Sequence, residues 1–493
     1  MSSKSLYILW DESQVWGLLA WRAALGFQLP FKMVRARDIA QGLLKNKPCS
    51  LLLVPGGSAR HKAEKLGPGG LDAIREYVSG GGNYLGFCGG AGLALSPPQD
   101  PEYHGDPALS LALCPWTRAP FAERVQHFMS GHLRAEFPCP EHALSPWQAG
   151  RCPAGQAGGE AGQAGARGPE GSASASGSSG PESAASGSGA NGAECFESAL
   201  PAERLARLAP LLPVWWPARF RAGLEAAADR CCSGDVQVLA SYGAPGPDFW
   251  MADLPIASLP RDAFGTWRER YGVSISPDFL RGEPCVIHGS YGRGGYTLSY
   301  SHLETPDSPF ANAWLAALLR DLGGLECYAG AGGDYRLPAW DLGSPEALWD
   351  DPLLLACLAD VGAVLRIGLE QGLLFRRNSW LYGWRSGMPG SALNNLYSVL
   401  VAIVSNAPKP EALVLWQDKG EELRGRVAHF RKAASDYLLA ERLGQTLAKV
   451  MPEALAPGLL KEQRLSLFGP PQRPAGLYSE LLRFFEELVW LQF

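Results

Sequence analysis

What this chain lacks narrows it first. Its 493 residues include eleven cysteines but no CxxC pair, and eight histidines but no HExxH. Cys231 and Cys232 are adjacent, a spacing that suits neither a metal clamp nor an ordinary bridge, and His127 and His132, five apart, do not share one helix face. The thiols therefore read as reduced cysteines of a cytosolic chain, with no metal and no other cofactor expected. Positive charge is not in excess: Lys and Arg number 44 against 49 Asp and Glu, a net charge of −5. A nucleic-acid partner is not expected from such a balance. No apolar run approaches the length needed to cross a bilayer, the best being 396–404, so no membrane partner is expected. The opening MSSKSLYILWDESQVW has no long apolar core and no small-residue cleavage site. No signal peptide is predicted, and the protein is expected to be cytoplasmic.

What remains is ample for folded cores, with 46% hydrophobic and 19% charged residues, and the length suits two or three domains. Apolar runs at 6–10, 31–34 and 51–54 read as strands, and segments 15–25, 37–45 and 69–79 have helical spacing, the first ending at Gly26 as a C-cap. The run Cys49-Ser-Leu-Leu-Leu-Val-Pro-Gly-Gly57 looks like a strand buried on both faces of a parallel sheet. This alternation predicts an α/β fold with a doubly wound, mostly parallel sheet. From 148 to 194 the composition collapses into Gly, Ala, Ser, Glu and Pro, too poor in apolar side chains to offset ordering entropy. That stretch is expected to be a flexible insert, because strand-like sequence resumes after it at 236–242 and 285–288, past an aromatic run bounded by prolines at 213–217.

The segment Asn83-Tyr-Leu-Gly-Phe-Cys88-Gly-Gly-Ala-Gly92 organises the functional reading. An apolar strand runs into Cys88, and small residues follow at once into a helix. This is the layout of a nucleophile elbow, where bulkier neighbours would collide with the strand or the substrate. A helix N-terminus also lowers a thiol's pKa. A buried core cysteine is the competing reading. In doubly wound sheets, ligands bind beyond the carboxyl ends of the strands. Gly56-Gly57 and Cys88 both fall at such ends, so the backbone N–H groups of Gly57 and Gly89 are candidate oxyanion donors.

Further along, Gly289-Ser-Tyr-Gly-Arg-Gly-Gly295 and the sequence after it read as a β-hairpin, since no helix or P-loop lysine follows to make a phosphate site. His302 and Glu304 stand two apart and, in extended chain, face the same side. Glu304 can then orient the imidazole while its other nitrogen takes the proton of Cys88.

Taken together, the Val54-Pro-Gly-Gly57 turn, the Gly86-Phe-Cys88-Gly-Gly90 elbow and the His302-x-Glu304 pair resemble the class I glutamine amidotransferase-like fold, and within it the biotin-protein ligase N-terminal domain family. The resemblance covers about 4–142 and 213–325. It implies Cys88 as nucleophile, His302 as base, Glu304 as the orienting acid, and Gly57 with Gly89 as oxyanion donors. Two departures matter. Many glutamine amidotransferases carry a glutamine four residues after the nucleophile, where this chain has Gly92, and no biotin-ligase catalytic domain is found, so biotin transfer is not expected.

A helix over 308–322 should close the α/β domain. Beyond about 338 the apolar residues recur at helical periods over 353–374, 393–404, 412–451 and 477–493. The expected organisation is an amidotransferase-like domain over 1–142 and 210–335, the insert at 143–209, and an all-α helical domain at 336–493. Leu477, Leu481, Phe485, Leu488 and Val489 form one stripe on the last helix, expected as core, with a protein partner's groove as the alternative. In the loop RRNSWLYGWRSG the Trp rings are expected to pack the bundle and Arg376, Arg377 and Arg385 to lie at its surface, a cleft cover or anion site being the alternative. Two functions follow. One is an enzyme that hydrolyses or transfers an acyl group of a small-molecule amide, ester or thioester through a Cys88 thioester. The other is a non-catalytic binding or regulatory module that keeps the pocket.

Overall fold

The computed structural model describes residues 4–97, 106–119, 129–148, 208–222, 232–233, 236–330, 333–385, 390–452, 454–470 and 475–493. Most of the expected insert, with His127 and Cys231, lies outside the described residues. The first third runs β1 (Leu6–Leu9), α1 (Gln14–Gly26), β2 (Phe31–Val34), α2 (Ala36–Ala40), α3 (Leu43–Asn46), β3 (Leu51–Val54), α4 (Ala59–Ser79), β4 (Asn83–Phe87) and α5 (Gly89–Ala94). Then follow β5 (Thr117–Ala119), β6 (Met129–Glu136), β7 (Leu211–Trp215), β8 (Arg219–Arg221), β9 (Cys232–Ser233), β10 (Val236–Pro245), β11 (Trp250–Met251), β12 (Leu254–Pro255), α6 (Ala263–Tyr271), β13 (Pro284–Tyr291), β14 (Gly294–Ser299) and α7 (Pro309–Gly323). The last third holds α8 (Pro352–Glu370), β15 (Leu374–Arg376), β16 (Tyr382–Trp384), α9 (Gly390–Val404), α10 (Pro410–Leu447), α11 (Pro457–Phe468) and α12 (Gly476–Trp490).

One large mixed sheet has the order β12-β11-β6-β10-β13-β14-β4-β3-β1-β2, with β7 against β6 and β9 against β10. From β14 to β2 the strands are parallel, and every residue of β1 and β3 is buried, as expected of strands covered on both faces. The strands from β13 outward pair antiparallel. The register puts Val54 beside Gly86, and Phe87 beside Ser299. The loops that leave β3, β4 and β14 therefore share one edge of the sheet.

Local departures from the sequence reading have local causes. Gly26 does not cap α1 but ends inside it, with Phe27 as the cap. Segment 37–45 makes two short helices, because Gly42 turns the chain at φ +90°. Helix α4 starts well before 69: Ser58 caps it by accepting from His61 N at 3.3 Å, and a kink at Gly67–Pro68 is absorbed within it. Helix α6 buries no residue and so leaves no amphipathic signature. The chain also stays packed up to Gln148: Trp147 meets Phe137, and Trp314 Nε1 donates to Leu144 O at 2.9 Å.

The C-terminal region is helical but not all-α. After α8 the chain turns at Gly372 (φ +66°) and makes the ribbon β15–β16. The sequence reading, which named 396–404 as the best apolar run, is corrected here: helix α8 is long and apolar enough to span a bilayer by length and composition. Here it packs on α9 and α10, and its buried Asp360 pairs with Arg424 at 2.7 Å and Arg431 at 2.8 Å, both from α10. Leu481, Phe485, Leu488 and Val489 of the α12 stripe are buried. Buried residues from Leu6 to Val489 form a single contiguous core across both regions.

Arg377 corrects the surface expectation for its loop. Arg376 and Arg385 are exposed, but the Arg377 side chain is only 5% exposed. Its Nε donates to Ser130 Oγ at 2.7 Å, and its Nη2 donates to Ser130 O and to Asp248 O. Trp215 and Trp250 flank the guanidinium. Arg377→Ala strands buried acceptors, and unfolding should become easier by about 2–4 kcal/mol, read as a lower denaturant midpoint. Arg377→Lys should recover little of that loss, because an ammonium lacks the planar fork.

Candidate functional site

Cys88 follows β4 directly and takes φ +47°, ψ −103°, a conformation rarely open to a side-chain-bearing residue. Its amide donates to Ser299 O at 2.7 Å and its carbonyl accepts from Gly92 N at 2.8 Å, so the turn is held from both ends. The glycines are needed for contact, not for flexibility. A Cβ on Gly89 would collide with the carbonyl of Gly57, and one on Gly90 with the carbonyl of Val54. Gly57 itself sits at φ +108°, where a Cβ would strike the carbonyl of Glu12. The expected neighbourhood of Gly57 and Gly89 is thus a direct backbone contact. Among the described residues, no backbone hydrogen bond outside helices and strands engages either amide.

His302 and Glu304 lie three and five residues past the end of β14. They sit in a turn and not in extended chain, with Thr305 N donating to His302 O at 3.1 Å. Glu304 Oε1 nevertheless meets His302 Nδ1 at 2.7 Å, and both side chains are fully buried. The loop is positioned by neighbours that pattern reasoning did not single out. His302 N donates to Pro213 O at 2.9 Å, and Trp215 Nε1 donates to Thr305 Oγ1 at 3.0 Å. Asn312 of α7 donates to the carbonyls of Leu303 and Thr305, both at 2.8 Å. Trp16 lies over the imidazole, with ring centroids 4.3 Å apart, and a Cβ at Gly56 would come within 3.0 Å of His302 Cε1. Only Asn312 left a trace in the sequence, as a polar residue in an apolar helix.

The electrostatics follow from this burial. Burial pushes the Cys88 thiol up, but the nearby His302 outweighs it and Arg118 adds to the effect, so the thiol lies below its ordinary value. Burial pushes His302 down, but Glu304 and then Cys88 reverse that, and the imidazole is raised to about 10. His302 Nε2 is buried without a hydrogen bond, as is Glu304 Oε2. Glu304 also borders a separate cavity of about 270 Å3 beneath α1. Beneath the elbow, Lys62 of α4 donates to Asp11 O at 2.9 Å and Ser13 Oγ at 2.5 Å. Burial lowers this lysine to about 7, against the pull of Glu12, Asp11 and Glu486. The amine thereby fixes the loop whose Glu12 carbonyl closes on Gly57.

Cys88 opens onto a cleft of about 910 Å3, lined also by Gly57, Gly89, Arg118, Trp216 and Tyr300. A second constellation copies triad geometry: His132 Nε2 lies 3.0 Å from Ser308 Oγ, and Nδ1 lies 2.9 Å from Asp248 Oδ2. Ser308 is only 3% exposed, and Asp248 is gripped by Arg377, so this group works as a strut between β6, α7 and the ribbon.

Residues 27–96 match the family model described as biotin-protein ligase, N terminal. The match contains Gly57, Cys88 and Gly89 and stops far short of His302. No curated protein matches the chain. Among solved structures, a ThuA-like protein from Bacteroides uniformis is similar at 14% identity, covering 65% of this chain and 90% of that one, with a TM-score of 0.32.

Proposed function

We propose that this protein is a cysteine-dependent acyl hydrolase or acyl-transfer enzyme of the class I glutamine amidotransferase-like type, with Cys88 as nucleophile, His302 as its proton partner and Glu304 as the residue that orients His302. What supports this reading is that a thiol on a strained elbow and a buried imidazole–carboxylate pair lie on loops leaving one edge of the sheet, each shifting the titration of the other toward a thiolate and an imidazolium.

The chemistry follows from that pair. The Cys88 thiolate attacks the carbonyl carbon of an amide, ester or thioester, and the amides of Gly57 and Gly89 receive the developing oxyanion. Collapse breaks the bond to the leaving group, which takes the proton of His302 and departs as an amine, alcohol or thiol. His302, now neutral, draws a proton from water. The water oxygen attacks the thioester carbonyl, the acid product leaves, and thiolate and imidazolium are restored. Glu304 holds Nδ1 throughout, leaving Nε2 as the nitrogen that carries the transferred proton.

A pH profile of Cys88 alkylation by iodoacetamide, mapped by mass spectrometry, tests this. The rate should rise at a lower pH than that of a thiol of ordinary value, and a second inflection should fall near pH 10 as the imidazolium is lost. A single rise centred at pH 9 or above would overturn the reading. It would favour a binding module instead, the alternative supported by Gly92 where a substrate-holding glutamine is common and by the unengaged Nε2.

A further inference from the structure

The cleft above Cys88 carries charge that its own walls do not use. Arg60 is tied to Glu64 at 2.9 Å, and Asp106 accepts from Ala108 N at 2.9 Å, capping a short helical turn. Arg118 borders the same cavity and, among the described residues, makes neither an ion pair nor a hydrogen bond. It is exposed, so its guanidinium is hydrated and available, yet its backbone is fixed. Strand β5 pairs with β8, placing Arg118 opposite Phe220, and the buried Phe220 ring lies 4.5 Å from that of Tyr300, another wall residue. The ribbon is thereby anchored to the residue directly after β14. The charge of Arg118 reaches both Cys88 and Tyr300. Trp216, held at φ +59°, and Ala218 supply apolar wall beside it. Among the described residues, a cation without a side-chain partner beside an apolar flank and a thiol makes this cavity complementary to a small acyl compound bearing negative charge.

We propose that Arg118 is a specificity-determining residue that binds a carboxylate or another anionic group on the substrate, so that the enzyme selects acyl compounds carrying negative charge close to the carbonyl attacked by Cys88. This rests on Cys88 being the nucleophile, and the experiment separates the two ideas. Iodoacetate and iodoacetamide are near-isosteres that differ by one charge. In both, the Cys88 sulfur displaces iodide from the methylene carbon, leaving a thioether and free iodide. The ratio of their rates at Cys88 of the full chain is compared with the ratio for glutathione under the same conditions.

Native protein should favour iodoacetate by about twofold to fivefold over the glutathione ratio, the scale of one exposed charge contact. Arg118→Gln should bring the ratio back to that of glutathione, Arg118→Lys should keep part of the preference, and high salt should weaken it. The ratio cancels any general loss of thiolate in the variants. Fast alkylation by both reagents with no preference for the anion, or a preference unchanged in Arg118→Gln, overturns this inference alone. No selective alkylation of Cys88 by either reagent overturns the nucleophile and the inference together.

Discussion

Replacing His302 by alanine should slow the alkylation of Cys88 near pH 7 by roughly a hundredfold, because each unit of thiol pKa is a factor of ten in thiolate. Burial alone drives the thiol up, and His302 is the largest influence holding it down. Without the imidazole, burial is left to push the sulfur upward, the direction in which it takes the more deeply buried Cys285, to about 12, and Cys114, to about 11. The inflection near pH 10 should vanish as well. A glutamine at 302 preserves volume under Trp16 and separates lost charge from lost packing, since it should slow labelling nearly as much while leaving the thermal transition closer to native. If either variant labels at the native rate, the sulfur does not depend on this imidazole.

The second large effect is structural and concerns Gly89. An alanine there places its Cβ against the carbonyl of Gly57, a backbone atom that cannot rotate away. Either the elbow or the turn after β3 must move, and both sit on buried strands. A loss of about 4 kcal/mol or more is expected, the range reserved for forced backbone shifts in a packed interior, with soluble yield and melting temperature as the readout. Gly69→Ala is the control. A Cβ there meets nothing within 4 Å, and within α4 it should be neutral or stabilise by about 0.5–1 kcal/mol. Equal behaviour of the two variants would show that the elbow tolerates side chains.

The elbow was legible in sequence because its constraints are local. Cys88 and Gly89 are neighbours along the chain, and the strands before them are continuous apolar runs, so position and chemistry coincide. His302 and Glu304 were legible as a pair by spacing alone, although the turn that joins them is not the extended geometry that suggested it. Of the supporting groups, Asn312 showed only as a polar residue in an apolar helix, and its role was not legible. Trp16 reaches the imidazole, and Asn312 the loop carbonyls, only through tertiary packing, and neither follows from periodicity. Arg377 illustrates the same limit from the other side. In a polar, Arg-rich loop it reads as surface, and only the ribbon β15–β16 delivers it to Ser130. Arg118 sits on a three-residue strand too short to carry any pattern.

The seam near 335 is one of composition and not of mechanics. Trp380 stands edge-on to Trp16 and to Trp215, the two tryptophans that brace the His302 loop, and Asn395 Nδ2 donates to Gln14 Oε1 at 2.6 Å at the start of α1. Arg35 grips Glu487 while lying over Trp490. Amputating the helices would leave the imidazole's stacking partner unbacked and expose tryptophan faces to water. The two halves are thus a keystone and its arch, and neither can be borrowed as a portable module without the other.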